Sequence, residues 1–155
     1  MIRTPTDSDW QQWNRDGVLP LDDAIGGDEL EHLRAAFTRC ADEAKSGWLA
    51  GVKAGTRPAA FFDLPDPMAL DDQFLELVDH PAYYGYLSAF SKERVTFLFA
   101  QFRTVPAAPL SYVGWHYDVP RETNPLHMKV QIYLDDTTPD DGAFGYVPGS
   151  HLENA

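Results

Sequence analysis

Cysteine is nearly absent from this sequence, since Cys40 is the only one in 155 residues. A single thiol cannot form an intrachain disulfide, and it cannot build a thiolate metal site alone. Cys40 falls on an apolar helical stripe, which favours an inert, buried side chain over a reactive one. Disulfide-based folds and cysteine-based metal centres are therefore excluded.

Basic residues and long apolar runs are also scarce. The chain has 12 basic and 24 acidic residues and a formal charge of -12, which argues against nucleic acid or an anionic membrane surface as its main partner. No stretch approaches the roughly 20 apolar residues of a membrane span, and residues 1–10 lack the apolar core of a signal peptide. We therefore predict a cytoplasmic protein without a nucleic-acid or membrane partner.

The length predicts a single domain over residues 1–155, enough for one hydrophobic core. Residues 1–92 carry helical patterns, and residues 93–151 carry β patterns. Short helices are predicted late in the helical part, at residues 70–78 and 83–90. Strands are predicted in the β-rich part, at residues 95–104, 112–118, 128–134 and 143–147.

The earlier helices are predicted from their caps. Thr6 suits the start of a short helix that ends at Gly17. Asp28 suits the N-cap of a second helix whose apolar positions continue to about Lys45. Residues 46–67 are rich in Gly, Ala and Pro around several aromatic side chains, which predicts a long aromatic loop.

The residues that carry chemistry are His116 and Asp118. In a β-strand their side chains project from the same face, as an imidazole and a carboxylate must to bind one metal ion. Two such ligands and a distant histidine make the facial triad of non-heme Fe(II) oxygenases. The spacing alone is weak, because aspartate is common in this chain. His116 could instead be a strand histidine bonded to Asp118 or to the backbone.

His151 is a second candidate ligand. It could complete a triad with His116 and Asp118, although a barrel normally needs more strands before the chain returns to the metal. His151 and Glu153 repeat the His-x-carboxylate spacing, but their terminal position makes a rigid site there less favoured.

Several segments, taken in order, resemble one known family, the phytanoyl-CoA dioxygenase family of Fe(II)- and 2-oxoglutarate-dependent oxygenases. The segment beginning at Trp13 is similar to the family's N-terminal segment, and His116 and Asp118 are similar to its first two iron ligands. The remaining matching segments are residues 130–136, residues 142–144 and the Val-Pro-Gly-Ser-His run at 147–151.

This resemblance implies an α+β fold in which N-terminal helices pack on a double-stranded β-helix, the jelly roll of the cupin-like enzymes. It implies Fe(II) held by His116 and Asp118, with 2-oxoglutarate as cosubstrate beside Gln101 and Gln131. Dioxygen and a small molecule or acyl thioester would be the other reactants, and hydroxylation the expected outcome. Either glutamine could instead be a polar side chain at a pocket rim or on a solvated sheet face.

Two parts of the family pattern have no match: the third iron-binding histidine and the arginine that pairs with 2-oxoglutarate. The predicted strands also supply about half of the eight that a jelly roll needs. We therefore predict the N-terminal part of a longer enzyme or a truncated gene product, and less readily a barrel completed by another chain. The alternative function is a non-catalytic jelly-roll module that binds a small ligand or partner through the aromatic loop. The oligomeric state is left open.

Overall fold

The structure is a computed structural model that describes residues 1–59, 61–92, 94–105, 113–119 and 126–154. Four α-helices lie in the described part: α1 (Asp7–Asp16), α2 (Gly27–Lys53), α3 (Asp72–Glu76) and α4 (Tyr84–Ser91). The strands β1 (Phe62–Asp63) and β2 (Arg103–Thr104) form a two-stranded antiparallel sheet. Short 3-10 helices cover Pro67–Ala69, Pro139–Asp141 and Ser150–Asn154. Four helices with one small antiparallel sheet are compatible with the predicted α+β class, whereas the described residues do not form a jelly roll.

Helix α1 begins and ends where its sequence predicts. Thr6 forms a capping box with Asp9, so that each side chain accepts from the other residue's backbone N–H. At the other end Gly17 takes a left-handed conformation with φ of 72°, and its N–H donates to the carbonyl of Trp13. This is the usual glycine termination of a helix.

The capping box makes the stability of α1 depend on pH. The Asp9 carboxylate accepts from the Thr6 N–H at 2.8 Å and from the Thr6 hydroxyl at 2.9 Å, and these bonds hold the pKa of Asp9 below its ordinary 3.8. A lowered pKa stabilises the fold above the unfolded value, and the contribution is lost as pH falls through the folded value. We expect Asp9→Asn to lower the urea midpoint at pH 7, and its deficit to close below pH 3.8. Asp42→Asn, at an exposed position of α2, is the control, and a deficit that persists at low pH would contradict this account.

Helix α2 differs from its prediction at both ends. It starts at Gly27 with Gly26 as N-cap, so Asp28 lies inside the first turn, where its charge favours the helix dipole. It also continues to Lys53, so the first part of the predicted aromatic loop is helical. Trp48 packs against Phe62 at a ring-centroid distance of 5.5 Å, and this tertiary contact outweighs the low helix propensity of the glycines nearby.

The hydrophobic core lies between α2, α3 and the short sheet. Its buried members are Leu33, Ala36, Cys40, Leu64 and Phe74. Cys40 is thus a buried free thiol, as its sequence position predicts. Leu134, far along the chain, packs against this core, and its carbonyl accepts hydrogen bonds from the Arg34 guanidinium. This contact ties the polypeptide after residue 126 to the helical half.

The strand predictions were largely wrong for the described residues. In the strand predicted at residues 95–104, only the last two residues are in a strand, β2. Their partner, β1, lies within the aromatic loop predicted at residues 46–67. Described residues in the other predicted strands, 113–118, 128–134 and 143–147, pair in no ladder; Tyr112 falls outside the described residues. An alternating pattern selects which face is apolar, but a strand also needs a neighbour to take its backbone hydrogen bonds. The described part contains no such neighbours.

Exposed apolar side chains concentrate in the second half. Leu98, Phe99, Val113 and Trp115 are each at least 60% exposed, and many others there exceed one third. Exposed apolar surface of this extent is often a site of interaction. In the described part, no helix is both long and apolar enough to cross a bilayer.

Gly17 has a second role beyond ending α1. A Cβ at this position would collide with the His151 ring, and its φ of +72° disfavours any L side chain. We expect Gly17→Ala to lower the unfolding free energy by more than about 1 kcal/mol. Gly47→Ala is the matched control, because it lies within α2 with nothing within 4 Å and should gain roughly 0.5–1 kcal/mol. Urea denaturation of both variants measures the difference, and equal stabilities would refute the contact.

Candidate metal centre

The His116 imidazole is oriented by the backbone of its own loop. Its Nδ1 lies 2.9 Å from the carbonyl oxygen of Gly114. A carbonyl can only accept, so Nδ1 carries the proton, and in neutral imidazole the lone pair is then on Nε2. This is the usual arrangement of a metal-binding histidine, whose second nitrogen is fixed by an outer hydrogen bond.

Asp118 lies against that lone pair. The His116 Nε2 and Asp118 Oδ1 atoms are 3.4 Å apart, so the loop brings the two predicted ligands together although it is not a strand. Their side chains are 55% and 40% exposed, which leaves the pair open to small molecules. An imidazole nitrogen and a carboxylate oxygen this close together are two donors of the kind that bind one divalent cation. If His116 were protonated, the same two atoms would instead form an ion pair.

The other Asp118 oxygen is bound by a lysine that the sequence reasoning did not single out. Lys129 Nζ lies 2.7 Å from Oδ2, and this bond is the main reason why the pKa of Asp118 lies below its ordinary value. The sequence could have pointed to Lys129, because it alternates with Gln131 on the polar face of the strand predicted at residues 128–134.

Trp115, in the loop that carries the pair, contacts a neighbouring segment. Its indole covers Gly145, where an added Cβ would lie 3.3 Å from the ring. Gly145 follows Phe144, whose N–H donates to the Tyr133 hydroxyl at 2.8 Å. The segments around residues 115, 133 and 145 therefore pack as neighbours.

The two predicted cosubstrate residues lie in other contacts. Gln101 donates to Asp63 at 3.3 Å, beside the bidentate Arg103–Asp63 ion pair. Gln131 donates to the Tyr133 hydroxyl at 2.9 Å. No hydrogen bond links either glutamine to His116 or Asp118 within the described residues, so their role stays a prediction.

A cleft of about 370 Å³ lies between α2 and the segments around residues 134 and 144. Tyr133 and Phe144 line it together with Arg34 and Asp135. The Arg34 guanidinium is already bonded to the Leu134 carbonyl and to Glu31. This cleft is therefore mainly a seam between the two halves of the chain.

A third ligand does not join the pair in the described part. No three histidine, cysteine or carboxylate groups there are close enough to hold one metal ion. His151 packs on Gly17 at the end of α1, with its Nδ1 buried and without a hydrogen-bond partner. The neighbouring Gly149 N–H donates to the Asp16 carbonyl at 3.0 Å. The Pro-Gly-Ser-His segment thus packs against the C-terminal end of α1. His151 does not complete the triad there.

His116 and Asp118 fit a divalent metal by their donor chemistry, since imidazole nitrogen and carboxylate oxygen are the ligands of non-heme iron oxygenases. A comparison with protein families points to the same class: the model of phytanoyl-CoA dioxygenase (PhyH) matches residues 13–155. The chain belongs to the phytanoyl-CoA dioxygenase family, whose members are Fe(II)- and 2-oxoglutarate-dependent oxygenases acting on small molecules with dioxygen. Neither the curated proteins nor the solved structures contained a match.

Proposed function

We propose that this protein is an Fe(II)- and 2-oxoglutarate-dependent dioxygenase that hydroxylates a small molecule or an acyl thioester, with His116 and Asp118 as iron ligands. The observation that carries the proposal is the 3.4 Å approach of Nε2 and Oδ1 within a chain of this family. Iron with 2-oxoglutarate and dioxygen would supply the oxidising chemistry.

The chain's own residues would prepare the pair for that ion. The Gly114 carbonyl holds Nδ1 of His116, so Nε2 keeps its lone pair outward. Lys129 binds Oδ2 of Asp118, so Oδ1 is the carboxylate oxygen that faces the histidine. Asp118 is ionised at neutral pH like any exposed aspartate, and its lowered pKa extends this ionised range to more acidic solution.

We further propose that the β-rich half of the chain belongs to a double-stranded β-helix and that the iron site needs a third ligand, which the described residues do not supply. The uncovered apolar side chains of this half support more strands packing on it. Gln101 and Gln131 remain our proposals for residues that face 2-oxoglutarate, on the strength of the family pattern alone.

Succinate release is the test of activity. The purified chain is incubated with Fe(II), 2-oxoglutarate and dioxygen, and succinate is measured against Asp118→Ala and the control His32→Ala on the exposed surface of α2. Because the described residues supply only two iron ligands, the expected result is weak succinate release from the unchanged chain and from His32→Ala, and none from Asp118→Ala. No succinate from the unchanged chain would remove the claim of activity for these residues.

The second candidate is a non-catalytic module of the same family. It is favoured by the absence of a third ligand among the described residues. Its proposed aromatic loop is shortened, because Trp48 lies within α2. Binding of a small ligand that is unchanged in His116→Ala, together with no affinity for Mn(II), would favour the module over the oxygenase.

A further inference from the structure

Lys129 presents a positive charge where a metal ion is proposed to bind, which is unusual for a cation site. Its Nζ lies 2.7 Å from Oδ2 of Asp118, on the opposite carboxylate oxygen from His116. Lys129 already neutralises the charge of Asp118. The Asp118 carboxylate would therefore not offset the charge of a divalent ion bound beside it. Two like charges close together repel, and the repulsion is only partly screened at a half-exposed position.

The same charge favours a negatively charged co-ligand. The Lys129 side chain is 47% exposed, and its bond to Asp118 uses one of the three N–H groups that an ammonium can donate to acceptors. A carboxylate arriving beside the metal would meet both cations at once, through a charge-assisted hydrogen bond and a metal bond.

We propose that Lys129 sets the charge balance of the His116–Asp118 pair: it weakens binding of a divalent metal alone and strengthens metal binding when a dicarboxylate co-ligand is present. This inference rests on the proposed function, because it needs His116 and Asp118 to bind metal. Lys129 would act through Asp118 and the anion, so that each of the two ligands, metal and dicarboxylate, strengthens binding of the other.

Coupling between metal and anion measures this role directly. Mn(II) binding to the full chain is followed by electron paramagnetic resonance, with and without 2-oxoglutarate. In Lys129→Gln, which keeps a neutral hydrogen-bond donor to Asp118, we expect Mn(II) alone to bind about fivefold more tightly. The enhancement of Mn(II) binding by 2-oxoglutarate should fall about tenfold, as expected for loss of a charged hydrogen bond.

Matched variants separate this effect from general electrostatics and from folding. Lys53→Gln at the end of α2 makes the same change in net charge and should leave both quantities unchanged. Lys129→Arg keeps the charge and should restore the coupling. A purely structural role for Lys129 would instead weaken Mn(II) binding in Lys129→Gln.

The outcomes distinguish the inference from the proposed function. Mn(II) binding by the unchanged chain that is lost in His116→Ala, with unaltered coupling in Lys129→Gln, overturns the inference alone. No Mn(II) binding by the unchanged chain overturns both. Tighter Mn(II) binding with reduced coupling in Lys129→Gln, absent from Lys53→Gln, supports the inference.

Discussion

Mn(II) binding is expected to disappear when either His116 or Asp118 is changed to alanine. These are the two groups whose donor atoms face each other at 3.4 Å, and each removal leaves a single donor. One donor cannot hold a divalent ion against water. The loss should therefore exceed the roughly 10- to 100-fold that changes to outer partners of metal ligands usually cause. Isothermal titration calorimetry of the unchanged chain and each variant measures it.

The control for this prediction is His32→Ala, which removes an exposed histidine from α2 and should leave Mn(II) affinity unchanged. His151→Ala is a second comparison, because His151 contacts Gly17 and lies outside the pair. Mn(II) affinity that falls in His151→Ala as far as in His116→Ala, in a chain that remains folded, would contradict this arrangement.

The largest expected change in stability is at Phe74. Its side chain is 1% exposed, and it packs edge-to-face on Phe102 at 4.5 Å, next to β2. Truncation of a buried aromatic leaves a cavity and loses its burial, so Phe74→Ala should cost about 3–5 kcal/mol. That is a large part of the total stability of about 5–15 kcal/mol typical of a domain.

Urea denaturation followed by circular dichroism measures this loss, with Leu75→Ala as the matched control. Leu75 lies in the same short helix but is 48% exposed, so its truncation should cost less than about 1 kcal/mol. Similar losses in both variants would mean that the core does not centre on Phe74. If Phe74→Ala does not fold, Phe74→Leu gives the same ranking with a smaller cavity.

Local signals predicted the helical half well. Thr6 and Gly17 are enough to place α1, because capping bonds and a left-handed glycine act within a few residues. The extent of α2 was missed because it depends on a distant contact, that of Trp48 with Phe62. Propensity alone places a loop where tertiary packing maintains a helix.

The second half could be predicted less well, for a different physical reason. Alternating residues such as Val130 and Ile132 show which side chains share a face, but ladder formation depends on neighbouring strands. The described residues provide partners only for Phe62–Asp63 and Arg103–Thr104. The meeting of His116 and Asp118 was foreseeable from their separation by one residue, whereas Lys129 required the folded positions of two segments.

Direct binding of the metal ion by His116 is the step on which the proposed oxygenase function depends, and it can be observed spectroscopically. Pulsed electron paramagnetic resonance of Mn(II) bound to the chain detects magnetic coupling to a directly bound histidine nitrogen. With histidine labelled with ¹⁵N, the account predicts this coupling in the unchanged chain and in His32→Ala, and its loss in His116→Ala. A coupling that persists in His116→Ala, or that is missing from the unchanged chain with Mn(II) bound, would contradict it.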